Sequence, residues 1–225
     1  MGSLFLVRHA TTRASEDGVN LGRRTDPPLV DAGRALAART GEAIAAELED
    51  MPHAELRVLS SPALRCRQTT RHVLDALGRS ELEPSVDAGL WEIDYGEWEG
   101  LSAEECRRRD PELRARWEAD PFMTRTPGGE SGSDVAARAF ATLSSLEEWL
   151  AGSREAVGLV VGHNHVVRLR LMAALGLPMR DYRRRVQADP GAYSLLTFRT
   201  DGLAVRRLNV LPTPASAAIP AGNVQ

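Results

Sequence analysis

The run Leu4-Phe5-Leu6-Val7 is apolar without interruption, and Ala156 to Gly162 is a second run of the same kind. Runs this short, with no polar alternation, predict strands buried on both faces, as in a parallel sheet. Between them Asp31 is placed to cap an alanine-rich amphipathic helix to about Leu48, and Leu56 to Ser60 reads as a second strand. Pro62 falls in the expected first turn of a helix reaching about Leu77. A short strand is expected near Ser85 to Asp87, a helix from about Ser133 to Leu150, and another after His163-Asn164-His165 to Leu175. Ala192 to Phe198 and Leu203 to Leu208 read as closing strands, joined as a hairpin around Asp201-Gly202. Strand and helix in alternation call for right-handed crossovers and an α/β fold.

Three stretches interrupt the pattern. Residues 10–30 are polar and punctuated by Gly and Pro, a long loop of the kind that often carries function. Leu90 to Gly100 is aromatic, acidic and broken by glycines, and residues 102–118 are charged and helix-prone with a break at Pro111. The last of these suits an inserted cap over about 101–130. The Pro/Ala-rich tail, 211–225, is expected to be loose, leaving one domain over 1–210.

Composition narrows the function classes. A chain of 225 residues that is 43% hydrophobic can bury one substantial core. Its 28 basic residues against 31 acidic ones give no electrostatic case for nucleic acid or an anionic membrane as partner. All 28 are arginine, which removes Schiff-base chemistry and a Walker-type phosphate loop. Cys66 and Cys106 form no metal spacing and read as free thiols. The N-terminal apolar run meets Arg8 too soon for a signal segment, so a cytoplasmic location is the expectation.

The candidate chemistry sits at the ends of the strands. In parallel sheets the ligand crevice lies beyond the carboxyl ends of the strands. Arg8-His9 comes after the first strand, Ser60-Ser61-Pro62 with Arg65 one helical turn on comes after the second, and His163 after the late one. With Glu92 on a glycine-flanked loop, these groups would make a cationic pocket with one acid at its mouth. An imidazole nucleophile, guanidinium donors for the phosphoryl oxygens and a carboxyl for the leaving group are the parts of phosphoryl transfer, without need of a metal. Glu97 and Glu99 compete with Glu92 for the acid role. His163 and His165 can also be read as an H-x-H metal pair, which would need further ligands. His53 and His72 have no motif context. Trp91, Tyr95, Trp98, Trp117 and Phe122 suit either a substrate mouth or packing between cap and sheet.

Six blocks in order then resemble the histidine phosphatase superfamily, the phosphoglycerate mutase-like fold, over roughly residues 3–208. Arg8-His9 resembles its R-H-G signature, Arg24 to Leu29 with Gly33-Arg34 resembles D-x-P-L-x-x-x-G-R, and Ser60 to Thr69 resembles S-S-P-x-x-R-x-x-Q-T. Trp91-Glu92 through Gly100, Gly128-Gly129-Glu130-Ser131, and His163 to Arg168 resemble three more. The resemblance implies a three-layer α/β/α sandwich with a mostly parallel central sheet and a small helical cap. It implies that His9 is the nucleophile that becomes phosphohistidine, that Arg8, Arg65 and His163 hold the phosphoryl group, and that Glu92 is proton donor and later base for water. Thr11, Ser15, Arg24, Asn164 and His165 are expected on the substrate side, with no cofactor and no metal. Ala10, Thr11, Ser15 and His165 depart from the family pattern and bear on which substrate is taken.

The activity so implied is hydrolysis of a small phosphorylated metabolite. The rivals are a phosphoglycerate-type mutase, a phosphoprotein phosphatase and a non-catalytic phosphate-binding regulator. The interval from Leu101 to Pro127 is short and lacks the basic, tyrosine-containing insert usual in the mutases, which favours hydrolysis. A homodimer is left open.

Overall fold

Six strands form one sheet: β1 (Ser3–Arg8), β2 (Glu55–Ser60), β3 (Ser85–Val86), β4 (Ala156–Gly162), β5 (Tyr193–Arg199) and β6 (Gly202–Val210), in the spatial order β3-β2-β4-β1-β5-β6. The computed structural model describes residues 2–51, 54–153, 155–199 and 202–212. β3, β2, β4 and β1 run parallel, whereas β5 pairs antiparallel with β1 and β6 antiparallel with β5. The sheet is therefore mostly parallel, closed on one side by a hairpin whose turn, including Asp201, lies outside the described residues. His53 and the tail from residue 213 lie outside them as well.

The alternation of side chains along β1 builds the layers. Leu4 and Leu6 enter a core shared with Leu143, Leu146 and Leu150 of α6 (Gly132–Gly152) and Val167 and Leu171 of α7 (Asn164–Ala174). Phe5 and Val7 point the other way, into a core with Ile44 of α2 (Asp31–Glu47) and Cys66, Val73 and Leu74 of α3 (Leu64–Ala76). Each of these four β1 side chains is at most 1% exposed, and burying one contributes roughly 1.5–3 kcal/mol. A strand this apolar has no solvent face, so helices must cover both sides, and the three-layer sandwich results.

The insertion holds α4 (Ala103–Arg109) and α5 (Pro111–Ala119), separated at Pro111, which opens α5. Trp98 and Trp117 are fully buried and meet edge to face at 5.9 Å, so these two rings, with Phe122 against them, are packing between cap and sheet. Among the described residues no helix is long and apolar enough to cross a membrane.

Two expected helix starts are corrected. Asp31 is the first residue of α2, and Val30, pinned by its N–H to the Thr11 carbonyl at 3.1 Å, is the N-cap. Pro62 precedes α3, which starts at Leu64 because the distant Asp26 carboxylate accepts the Leu64 N–H at 2.8 Å and caps the helix from another loop. Two short helices, α1 (Arg13–Asp17) and α8 (Tyr182–Arg185), are additions to the expected set.

Gly33, in the first turn of α2, packs so closely on the segment after β1 that a Cβ there would lie 2.2 Å from the Thr11 carbonyl oxygen. The Gly33→Ala variant is expected to lose about 1–3 kcal/mol of stability, the scale of forced overpacking, read as a lowered midpoint in urea unfolding.

Candidate active site

The register of the central strands brings three strand ends level. Arg8 pairs with Gly162 and Ser60 with Val161, and the chain just beyond continues the pairing: the His9 N–H reaches the Gly162 carbonyl at 2.9 Å and the Ser61 N–H reaches Val161 at 3.0 Å. His9, Ser61 and His163 therefore emerge side by side at the carboxyl end of the sheet. The rings of His9 and His163 meet edge to face with centroids 5.3 Å apart.

Hydrogen bonds fix how each ring carries its proton. His9 Nδ1 lies 2.8 Å from the Ala10 carbonyl, which can only accept, so Nδ1 holds the hydrogen and Nε2 keeps its lone pair. Burial first, then the charges of Arg65 and Arg8, push the His9 imidazole down from 6.5 to about 3. His163 takes the opposite tautomer: Arg65 Nη2 donates to Nδ1 at 3.2 Å, and Nε2–H donates to Ser61 Oγ at 2.7 Å. Burial and the same guanidinium hold His163 well below its ordinary value. Both imidazoles are neutral over the physiological range.

Arg65 has no exposed surface. Its guanidinium donates to the Gly22 carbonyl at 2.9 Å and approaches Asp26 at 3.4 Å, while Nε finds no partner. Arg8 donates to the Ala188 carbonyl at 2.7 Å, and its Nε is likewise buried without an acceptor. Buried donors left unpaired by the protein suit an anionic ligand better than a neutral one.

Glu92 is 4% exposed, and its Oε1 accepts three donors: the Ile93 N–H at 2.9 Å, the His165 N–H at 3.3 Å and His165 Nδ1 at 3.1 Å. Burial would raise this carboxyl, yet His165, His163 and the Ile93 N–H outweigh it and hold Glu92 well below its ordinary value. His165, itself lowered by burial, is best described as a neutral imidazole donating to an ionised carboxylate. The Glu92 backbone is fixed from outside: Arg138 donates to the carbonyls of Gly89, Trp91 and Glu92 at 2.7, 2.6 and 3.1 Å, and Arg23 Nε to that of Glu92 at 2.9 Å. Glu130 of the G-G-E-S block braces both arginines and accepts the Asp94 N–H at 3.0 Å. Gly96, at φ +55°, gives its Cβ space to the Pro127 carbonyl, 2.0 Å from where that atom would be.

Arg8, His9, Ser15, Asn20, Glu92, Tyr95, Asn164 and Arg183 line one cavity of about 210 Å³. Of the residues expected on the substrate side, Ser15 and Asn164 are there, although Ser15 Oγ is occupied with the Thr12 backbone as part of the capping box of α1. Thr11, Arg24 and His165 do not line it. Thr11 holds Val30 and packs on Gly33, Arg24 is exposed with its N–H on Glu99, and His165 stands behind Glu92. The competing carboxylates are engaged elsewhere: Glu97 pairs with Arg109, and Glu99 accepts the N–H groups of Arg23, Arg24 and Thr25. The H-x-H pair does not converge, since one ring serves Arg65 and Ser61 and the other serves Glu92. No cluster of three or more metal-ligating side chains occurs among the described residues.

Sequence reasoning gave no role to Asp26, Asn20 or Arg183. Asp26 carried a signal, since it lies in the block from Arg24 to Leu29, and its work is to hold α3 and Arg65. The motif blocks also show what Gln68 and Thr69 do: Gln68 Oε1 accepts the Leu29 N–H at 2.8 Å, and Thr69 Oγ1 accepts the Ala10 N–H at 3.0 Å. Cys66 and Cys106 are buried free thiols, and burial pushes Cys66 up to about 12.

Together the sheet and its carboxyl-end crevice define an α/β protein with a pocket lined by Arg8, Arg183, one neutral imidazole and one carboxylate, the fully buried Arg65 and His163 lying outside that lining. The chain belongs to the histidine phosphatase superfamily (branch 1), whose family model matches residues 4–211. It is 34% identical over 211 residues to the bifunctional protein Rv2228c of Mycobacterium tuberculosis, a match covering 91% of this chain and 52% of that protein. The chain thus spans about half the length of the curated relatives it matches first. It is 32% identical over 176 residues to the 2,3-bisphosphoglycerate-dependent phosphoglycerate mutase of Brucella melitensis, covering 78% of this chain and 82% of the mutase. Among solved structures, the alpha-ribazole phosphatase of Shigella flexneri superposes with a TM-score of 0.76 at 24% identity, covering 94% and 98% of the two chains. The mycobacterial glucosyl-3-phosphoglycerate phosphatase Rv2419c superposes with a TM-score of 0.76 at 23% identity, covering 93% and 99%.

The depressed His9 value has a direct readout. Imidazole NMR of selectively labelled protein is expected to show His9 as the Nδ1–H tautomer from pH 5 to 7, and a midpoint near 6.5 would contradict the assignment. The linkage has a definite sign. A histidine held low in the folded state binds fewer protons there than in the unfolded chain, so stability present above pH 6.5 is lost as pH falls from 6.5 toward 3.

Proposed function

We propose that the protein is a phosphomonoesterase that hydrolyses a small phosphorylated metabolite through a phosphohistidine on His9, with Glu92 as general acid and base. The observation that carries this reading is the tautomer of His9. Its Nδ1–H is committed to the Ala10 carbonyl, which leaves Nε2 as an unprotonated nucleophile under the charges of Arg65 and Arg8.

In the first step Nε2 attacks phosphorus, the bond to the ester oxygen breaks, and Glu92 gives its proton to the departing alkoxide. Arg8 and Arg65 supply donors for the transferring group, whose charge on the equatorial oxygens needs them already in place, and His163, taken up by Arg65 at Nδ1 and by Ser61 at Nε2, holds Arg65 there. In the second step Glu92 takes a proton from water, the hydroxide attacks phosphorus, and the P–N bond breaks to release inorganic phosphate and restore neutral His9. Glu92 is ionised in the free protein, and substrate entering as the phosphate monoanion supplies its proton: the dianion left beside the carboxylate raises its proton affinity, because like charges disfavour ionisation. The acid is thereby armed when substrate is bound.

Similarity to solved phosphatases and the short cap favour water over a second hydroxyl as acceptor. The mutase relative makes phosphoryl return the alternative, and the released product separates the two. His9→Ala is expected to reduce hydrolysis of p-nitrophenyl phosphate to background. Rapid-quench labelling of the unaltered protein should yield an adduct that is labile in acid and stable in base, and an acid-stable adduct would point to another nucleophile. Glu92→Gln is expected to slow glycerol phosphate hydrolysis by about 10²–10⁴-fold. In the first step, read as the burst of p-nitrophenol, it should slow p-nitrophenyl phosphate only a few-fold, because that leaving group needs little protonation, whereas loss of the base slows the second step for both esters alike. Equal slowing of phosphoenzyme formation from both would remove Glu92 from the acid role.

A further inference from the structure

Beside the catalytic pocket, on its cap side, lies a second cavity of about 390 Å³ that shares one wall with it, Arg183 of α8. Its other charged walls are Arg107, Arg114, Arg180 and Arg184, against a single carboxylate, Glu118. For a chain with net charge −3 this is a strong local excess of positive charge.

Its pairing is incomplete in a specific way. Glu118 is already divided between Arg107 at 2.9 Å and Arg114 at 2.8 Å, and Asp181 between Arg184 at 2.8 Å and Arg185 at 3.4 Å. Arg180 and Arg183 have no carboxylate partner among the described residues. Three buried donors of the cluster also lack an acceptor: Arg114 Nη1, Trp117 Nε1 and Arg183 Nε. Arg114 is 3% exposed and Trp117 0%, so these donors meet the cavity and little bulk solvent.

The cluster is held in shape. The guanidinium carbons of Arg114 and Arg183 lie 4.5 and 4.3 Å from the centroid of the Trp117 ring, which binds both cations to one indole. The Arg183 carbonyl accepts a further bond from Arg168 at 3.4 Å. Guanidinium groups fixed this close repel one another, and an anion among them relieves that repulsion while satisfying the free donors.

We propose that this cavity is a second anion subsite, reached across Arg183 from the phosphoryl pocket, and that the alcohol portion of the natural substrate carries its own acidic group, a carboxylate or a second phosphate. The proposal rests on the phosphatase reading for the word substrate. The subsite itself can be tested by binding alone.

The experiment measures dissociation constants by calorimetry on His9→Ala protein for three matched pairs. These are 3-phosphoglycerate with glycerol 3-phosphate, 6-phosphogluconate with sorbitol 6-phosphate, and fructose 1,6-bisphosphate with fructose 6-phosphate. The first two pairs report a carboxylate at two reaches, and the third a phosphate. In at least one pair the acid-bearing member is expected to bind about tenfold tighter or more, the scale of one charge-assisted hydrogen bond. Adding Arg180→Ala with Arg183→Met, which keeps the apolar contact on Trp117, should bring the pair to within about threefold. Even binding in all three pairs overturns the proposal, as does a preference that survives the double change. If the double variant does not fold, Arg180→Ala alone removes an exposed side chain and should reduce the preference at least about twofold, and no reduction overturns it. Failure of the unaltered protein to hydrolyse p-nitrophenyl phosphate would remove the phosphatase reading, while these ratios still decide the subsite.

Discussion

A guanidinium with no exposed surface is the group on which the site depends. Taking a cation out of water costs several kcal/mol after relaxation, so Arg65 must find acceptors within the protein or its helix would turn it outward. The protein meets it with Gly22 from the loop after β1, Asp26 from the same loop and His163 from the end of β4. Each acceptor is itself held, Asp26 by capping α3 and His163 by resting on Ser61. The cation thereby fixes His163 as a neutral ring, and His163 lies against His9. Neutral imidazoles in this crevice follow from burial first and from its positive charge second: protonating either would place a further cation beside Arg65.

The carboxylate side is built on another principle. Glu92 sits on irregular backbone, where helix or strand geometry cannot set its position. Arg138 replaces that regularity by gathering three turn carbonyls, and Glu130 anchors Arg138 and Arg23 in turn. His165 then fixes which oxygen of the carboxylate is occupied. With three donors on Oε1, Oε2 is the oxygen left for other partners.

How much could be read from the residues alone depends on how each signal is carried. The apolar runs at Leu4 and Ala156 mark strands because a doubly covered strand has no polar face, and the strand bounds there fall within a residue or two of expectation. The three strand-end groups were legible for the same reason, since their positions depend only on where strands stop. Helices α1 and α8 are five and four residues long, too short to show a period, so Arg183 was not found. The start of α3 was misplaced because its cap comes from Asp26, 38 positions away. His165 and Arg24 were expected toward the substrate, but side-chain direction at a loop or a helix's first turn is set by contacts that a linear pattern does not contain. Trp98 and Trp117 needed the packing between cap and sheet to be told apart from Tyr95.

Glu99 ties the root of the cap to the loop after β1. Its carboxylate gathers the N–H groups of Arg23, Arg24 and Thr25, next to the Gly22 carbonyl that Arg65 holds, while Asn20 exchanges backbone bonds with Gly100 and Leu101 at 2.8 and 2.9 Å. The root of the cap and the loop that seats the buried cation are thus sewn into one piece. Lengthening or trimming the insertion beyond Leu101 would remodel what it covers and leave this seam intact, whereas a change at the seam itself would be transmitted to Arg65.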